Sequence, residues 1–383
     1  MFQPFVMSNI RLLSFAFLIN AVISIGIQAH ANTANEMFPE VSITPFHSSL
    51  INPWAIKQLP TEEWLITLKQ GQIRLVSKDG EPLAEFTHMP DDLYVAGQGG
   101  LMDVALHPDF NQKPFVYITY AEGTADANHL AVARATYTQK TLGDWEVIFR
   151  AEPDRATPVH YAGRMAFLAD SSLLVTSGDG FDYREQAQVK SSHLGKVLRM
   201  SDSGTPLADN PYYKGNGSPI DYVYTLGHRN AQGLEVDSTS NLIYLNEHGP
   251  AGGDEINILR AGQNYGWPVV TQGKDYSGAN ITPFDDYPGM RAPIVNWTPS
   301  IAPSSMTVVH GDLYSALEGD LLVTSLAAKR LYWVRIVNQK SVFAMPVVDD
   351  LQQRLRDIHM GLDGAVYILT DGPEASILKM LPK

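Results

Sequence analysis

Short apolar runs rich in β-branched residues come in pairs along this chain, each pair split by a gap that is polar or carries glycine, and the second run often sets Arg or Lys between apolar positions. Trp64-Leu65-Ile66-Thr67 is followed by Ile73-Arg74-Leu75-Val76, and Phe115-Val116-Tyr117-Ile118 by Leu130-Ala131-Val132-Ala133-Arg134. Leu173-Leu174-Val175-Thr176 pairs with Val197-Leu198-Arg199-Met200, and Leu242-Ile243-Tyr244-Leu245 with Ile256-Asn257-Ile258-Leu259. The last two pairs are Leu321-Leu322-Val323-Thr324 with Leu331-Tyr332-Trp333-Val334-Arg335, and Val366-Tyr367-Ile368-Leu369 with Ile377-Leu378-Lys379-Met380. No long amphipathic helical window separates them, so radial repetition fits better than a sandwich or a parallel α/β sheet. The expected fold is all-β, a six-bladed propeller in which each pair forms the middle of a blade. Turns such as Asp363-Gly364 and Gly319-Asp320 supply the positive φ that tight connections need.

The intervals between pairs exceed what a minimal blade requires, so the surplus goes into loops, and long loops at one end of a rigid scaffold usually build the site. Those loops hold Gly97-Gln98-Gly99-Gly100, His160-Tyr161-Ala162-Gly163-Arg164, Gly227-His228-Arg229-Asn230, Glu247-His248-Gly249-Pro250, Asn264-Tyr265-Gly266-Trp267 and Arg354-Leu355-Arg356-Asp357. If they converge on the central channel, a flat polar ligand could be held there. His160 has the side chain best suited to accept a proton near neutral pH, and Asp179, in Ser177-Gly178-Asp179-Gly180, is a carboxylate that could fix its tautomer.

Composition narrows the partners. With 28 Lys and Arg against 41 Asp and Glu, a formal charge of -13 and no cysteine, the chain has neither the clustered cations of nucleic-acid binding nor any thiolate chemistry. Arg11, the apolar run Leu12 to Ile27 and Ala29-His30-Ala31 read as a secretory leader over residues 1–31, followed by a single propeller domain over residues 32–383. The expected product is exported, to the periplasm or beyond, with no membrane-spanning segment in the mature chain.

From Asn52-Pro53-Trp54 to Leu369-Thr370-Asp371 the chain resembles the soluble sugar dehydrogenases that use pyrroloquinoline quinone (PQQ), and it is most similar to the periplasmic aldose sugar dehydrogenases. The segments that carry the likeness are Gly97 to Leu106 with His107-Pro108-Asp109-Phe110, Ser191-Ser192-His193-Leu194-Gly195-Lys196-Val197, and Gly252-Gly253-Asp254-Glu255-Ile256-Asn257 through Asn264-Tyr265-Gly266-Trp267-Pro268. The resemblance implies that His160 is the base for the anomeric hydroxyl of an aldose, that Asp179 orients it, and that Arg229 and Asn230 bond the quinone oxygens. It further implies Gln98, Tyr276, Arg354 and Arg356 as PQQ contacts, carbonyls of Gly249 and Pro250 as ligands of a Ca2+ beside the quinone, and Glu255 and Tyr265 as a second Ca2+ site. Arginine forks and hard oxygen donors suit those roles. The implied partners are an aldose, an unidentified electron acceptor and, as to assembly, a monomer or homodimer.

The sequence departs from that pattern. Ala327 stands where relatives have a cofactor-binding lysine, with Lys329 two residues on as a substitute if both lie on one strand face. Ala162 replaces a glycine beside His160, and Ala231 a proline after Asn230. His88, His107, His310 and His359 are read as structural. Two other readings stand beside oxidation: a non-catalytic exported propeller that binds sugar or a partner protein, and a calcium-dependent hydrolase of the lactonase kind.

Overall fold

The computed structural model describes residues 38–348 and 351–383, and the expected leader lies outside them. Six antiparallel sheets stand around one axis, and each of the six sequence pairs is the second and third strand of one sheet. The innermost strands are Pro53–Gln58, Leu101–Leu106, Ala162–Phe167, Ala231–Val236, Pro303–Val308 and Leu355–Met360. Each packs against the innermost strand of the next blade, and Leu355–Met360 packs against Pro53–Gln58 to close the ring. The circle is also sealed at its edge, because the first strand, Val41–Leu50, pairs with the last, Ala375–Pro382, in the sixth blade. That exchange ties the two ends of the chain together, with Val41–Leu50 as the outer strand of the sixth blade.

The middle strands are buried on both faces because they lie between neighbouring blades. Trp64–Leu68, Leu173–Ser177, Leu321–Ser325 and Val366–Thr370 are buried along their whole length. Between the first and sixth blades the Trp64 and Tyr367 rings pack with centroids 4.3 Å apart. Large apolar side chains of this kind carry most of the burial that holds blade to blade.

A polar belt crosses the channel. Arg164 reaches Asp103 at 3.2 Å and Asp357 at 3.1 Å, donates through Nε to the Gln232 carbonyl at 3.0 Å, and stacks over Trp54 at 4.3 Å. The same two carboxylates accept the backbone N–H of Met165 and of Ile56. One guanidinium thus joins innermost strands from five blades, and removing Arg164 would leave two buried carboxylates uncompensated, at a cost of roughly 3–5 kcal/mol.

The topology decides where function can sit. Every innermost strand begins its blade and runs the same way along the axis, so the loops entering these strands share one end of the channel. Each second strand is antiparallel to the first, so the loops leaving the second strands reach the same end. Gln98, His160, Arg229, Asn230 and Arg354 lie on or beside entering loops, while Lys69, Asp179, Gly249, Ala327 and Asp371 follow second strands.

Candidate active site

His160 and Asp179 come together as expected. Nδ1 of His160 lies 2.7 Å from Oδ1 of Asp179, and both residues are buried. Asp179 is fixed on every side: Oδ1 also accepts the Phe181 N–H at 2.8 Å, Oδ2 accepts the indole N–H of Trp267 at 2.8 Å, and its own N–H donates to the Arg229 carbonyl at 2.8 Å. Burial pushes the Asp179 pKa up, but the bond from His160, the charge of Arg229 and the Phe181 amide more than offset that and leave it below the usual carboxylate value. Burial, helped by Arg229 and Arg155, lowers the His160 pKa despite the opposing pull of Asp179. The pair therefore rests as a carboxylate and a neutral imidazole whose Nδ1 carries the proton, which leaves Nε2 as the proton acceptor.

His160 is held in the left-handed region, φ 53°, which costs a non-glycine residue about 1–3 kcal/mol. Gln98 accepts its N–H at 2.8 Å and Arg155 donates to its carbonyl at 2.8 Å. Gly178 makes the arrangement possible, since a Cβ there would stand 2.1 Å from the His160 carbonyl oxygen. Ala162 also has positive φ, 59°, so this position favours glycine and the alanine is accommodated with strain.

Arg229 is buried between two groups of partners. Its N–H donates to Glu247 at 2.6 Å, Nη1 donates to the carbonyls of Gly249 at 2.7 Å and His248 at 3.1 Å, and Nη2 reaches the Tyr276 hydroxyl at 3.3 Å. Beside it a pocket of about 280 Å³ is lined by Asp179, Phe181, Arg229, Pro250, Trp267 and Tyr276. Phe181 and Tyr276 are exposed at its mouth, with rings stacked at 6.2 Å.

The axial cavity, about 360 Å³, brings together Gln98, Asn230, Arg354 and Arg356 from loops far apart in sequence. Tyr276 lies on the neighbouring pocket rather than this one, and the consecutive residues Arg229 and Asn230 bridge the two. Arg354 and Arg356 share Asp371, at 2.7 Å from Nε of the first and 2.9 Å from Nη2 of the second.

Lys69 is a cavity residue that sequence reasoning missed. It lines the axial cavity, its ammonium donates to the Gly97 carbonyl, and burial with the charge of Arg356 lowers its pKa. Lys69, Arg354 and Arg356 face one carboxylate, Asp371, among the described lining residues, so the cavity carries a net positive charge. A single lysine in a turn after a strand gives no sequence signal of this. Lys329 does not take the place of Ala327. The strand ends at Ser325 and Lys329 has φ 56°, so the strand alternation that would align the two positions does not apply; neither Ala327 nor Lys329 is on the cavity wall, to which this loop contributes Leu326.

For calcium, the Gly249 carbonyl points toward the Arg229 side of the site. Burial and the charge of Glu247 push the Glu255 pKa to about 8, and Oδ1 of its neighbour Asn257 is buried without a partner. The Tyr265 hydroxyl donates to the Ile258 carbonyl and accepts the Arg260 N–H, both at 2.8 Å, which leaves its main-chain carbonyl as the oxygen it could offer. Among the described residues no group of three or more His, Cys, Asp or Glu could hold a metal, so any cation here needs carbonyl and amide oxygens as well. Of the four structural histidines, His310 bridges Asp237 and Glu318, His107 packs on Phe167, His359 packs on Trp64, and His88 lies near Asp144.

Residues 50–379 match the glucose/sorbosone dehydrogenase family. The chain is 33% identical over 349 residues to the aldose sugar dehydrogenase YliI of Escherichia coli, covering 90% of this chain and 93% of that protein. It superposes with a TM-score of 0.85 on the apo-form crystal structure of the soluble aldose sugar dehydrogenase from Escherichia coli, at 33% identity over 90% of this chain and 100% of that one. The PQQ-bound aldose sugar dehydrogenase of Streptomyces coelicolor matches with a TM-score of 0.73 and 26% identity, over 90% of this chain and 99% of that one. The six blades, the His160–Asp179 pair and the cation-lined axial cavity thus occur in a chain that belongs to the glucose/sorbosone dehydrogenase family.

Proposed function

We propose that this protein is an exported, PQQ- and calcium-dependent dehydrogenase that oxidises aldose sugars at the anomeric carbon to lactones and passes the electrons to an acceptor of unknown identity. The observation that carries the reading is the buried, neutral His160 beside a cavity whose described charged lining is three cations and one carboxylate. The fit to a tricarboxylate quinone rests on that charge and on the amides of Gln98 and Asn230, which complete a polar wall. The raised Glu255 carboxyl and the orphaned Asn257 oxygen support a calcium site, while a second at the carbonyls of Gly249 and Pro250 rests on the family resemblance, the Gly249 carbonyl here accepting an Arg229 N–H.

When bound, PQQ would supply the hydride acceptor and calcium the polarisation of its carbonyl. This chain's own residues do the rest. His160 Nε2 takes the proton of the anomeric hydroxyl while hydride leaves C1, and ionised Asp179 stabilises the imidazolium that forms. Arg229 holds a positive charge where electron density arrives. Phe181 and Tyr276 offer the apolar ring faces on which a sugar can stack. Export rests on the leader pattern of residues 1–31. Among the described residues no helix is long and apolar enough to cross a membrane. The protein is expected to act as a monomer or homodimer.

The test is reconstitution of purified protein with PQQ and Ca2+, followed by dye reduction with a panel of aldoses. Turnover that requires both additions supports the reading. Saturable sugar binding without turnover would support the non-catalytic alternative, and lactone hydrolysis without quinone would support the hydrolase.

A further inference from the structure

Arg155 has no part in the reaction above, yet it is built into the same site. Its side chain is buried, 2% exposed, and among the described residues no carboxylate pairs with it. Its polar contact is Nη1 to the His160 carbonyl at 2.8 Å, its guanidinium lies over the Tyr161 ring at 4.0 Å, and Nε has no partner. The contrast is with Arg164, equally buried, which meets two carboxylates.

The placement explains why a charge is kept there. Arg155 also packs on the turn that carries Asp179: a Cβ on Gly180 would stand 3.0 Å from Arg155 Cδ and 3.2 Å from Nη1. One side chain thus touches both segments that bring the base and its carboxylate together. Its own backbone is pinned by a two-way bridge to Asn128, whose side chain accepts the Tyr161 hydroxyl at 2.5 Å. Strut and ring are fixed to the same neighbouring strand, so the guanidinium has little freedom to move away from His160.

We propose that Arg155 is a positioning residue that clamps the left-handed backbone at His160 and, as a fixed buried cation, keeps the imbalance of charge around the imidazole in favour of the neutral base. Burial lowers the Arg155 pKa to about 10, which still leaves the guanidinium charged near neutral pH, whereas a lysine or a second histidine there would relax this bias by losing its proton. The charged groups that act on His160 are Asp179, which favours the imidazolium, and Arg229 and Arg155, which oppose it, while His248, its pKa lowered to about 3 by burial and Arg229, is neutral where His160 titrates. Burial acts in the same sense as the cations.

The inference rests on His160 being the base, and its test does not require turnover. The His160 resonance is assigned in the apo-protein by its loss in His160→Gln, and its pKa is read by NMR titration in the native chain, Arg155→Gln and Arg155→Met. Both variants remove the charge and the bond to the His160 carbonyl, so the pKa should rise by about one unit in each. In the reconstituted enzyme the acid limb of kcat/KM should move up by the same amount. An unchanged or lowered His160 pKa in Arg155→Gln would overturn the proposal. Should Arg155→Gln fail to fold, Arg155→Met decides in its place, since an unchanged pKa there contradicts it. If reconstitution gives no turnover at all, the dehydrogenase reading fails while the NMR comparison still judges Arg155.

Discussion

The indole N–H of Trp267 and the imidazole of His160 are bound to opposite oxygens of one carboxylate: Trp267 Nε1 lies 2.8 Å from Asp179 Oδ2, and His160 Nδ1 lies 2.7 Å from Asp179 Oδ1. The tryptophan comes from a loop between the third and fourth strands of the fourth blade, the aspartate and histidine from the third blade, so the orientation of the base depends on how two blades dock. Trp267 also lies beside the Arg229 guanidinium, 5.3 Å from ring centroid to carbon.

Trp267→Phe should preserve the apolar packing and leave Oδ2 of a buried carboxylate short of a donor. The expected cost is about 1–3 kcal/mol in urea unfolding, with kcat down roughly tenfold or more because the imidazole is no longer held in one orientation. Native kcat in that variant would show that the indole bond does not orient Asp179.

The direction of the His160 shift sets the pH dependence. Its folded pKa lies below the ordinary 6.5, and the base acts only when neutral, so kcat/KM should hold through neutrality and fall as pH drops through a midpoint below 6.5. His160→Gln should bind PQQ as the native chain does but turn over about two to four orders of magnitude more slowly. A pH–rate profile with its acid midpoint above 6.5 would contradict the buried neutral imidazole.

Lys69→Met should raise the PQQ dissociation constant about 10- to 100-fold, the worth of one charge-assisted hydrogen bond, as measured by quenching of protein fluorescence. Lys329→Ala should leave it unchanged, because Lys329 is off the cavity wall. The reverse pattern would mean that the fifth-blade loop, not the first-blade turn, supplies the ammonium.

Calcium should raise the thermal unfolding midpoint of the apo-protein, since a ligand bound only by the native state stabilises by about 2.7 kcal/mol at a hundred times its dissociation constant. Glu255→Gln should lower that calcium response sharply and leave the calcium-free protein as stable or more so, because a half-buried, poorly compensated carboxyl is then replaced by a neutral amide. An undiminished response in Glu255→Gln would remove Glu255 from any calcium site.

The parts of the fold that could be read in the sequence are those whose side chains have a single environment. Second strands are covered on both faces and appear as nearly unbroken apolar runs, which is why Leu173 to Thr176 or Val366 to Leu369 could be placed at once. The innermost strands could not, because they face a channel that wants Asp103, Arg164, Gln232 and Asp357, and such residues break the alternation that marks a strand. The closing strand Val41–Leu50 is largely uncovered, and its partner lies at the other end of the chain. In the site, the pairing of His160 with Asp179 was legible from residue type, and Arg354 and Arg356 came from the family resemblance. Lys69 and Arg155 were not, since each looks like an ordinary turn or loop residue until the blades bring it to the channel, and Trp267 was placed on a site loop without its bond to Asp179.

The most direct measurement is an absorbance titration of chelator-treated protein with PQQ at excess Ca2+, repeated in the Arg354→Ala/Arg356→Ala variant. The account predicts saturation at one equivalent in the native chain, with affinity lowered by two orders of magnitude or more when both arginines are removed, and dye reduction that follows the bound fraction when an aldose is added. The absence of saturable binding in the native chain, or binding indifferent to both arginines, would contradict the assignment of the axial cavity as the quinone site.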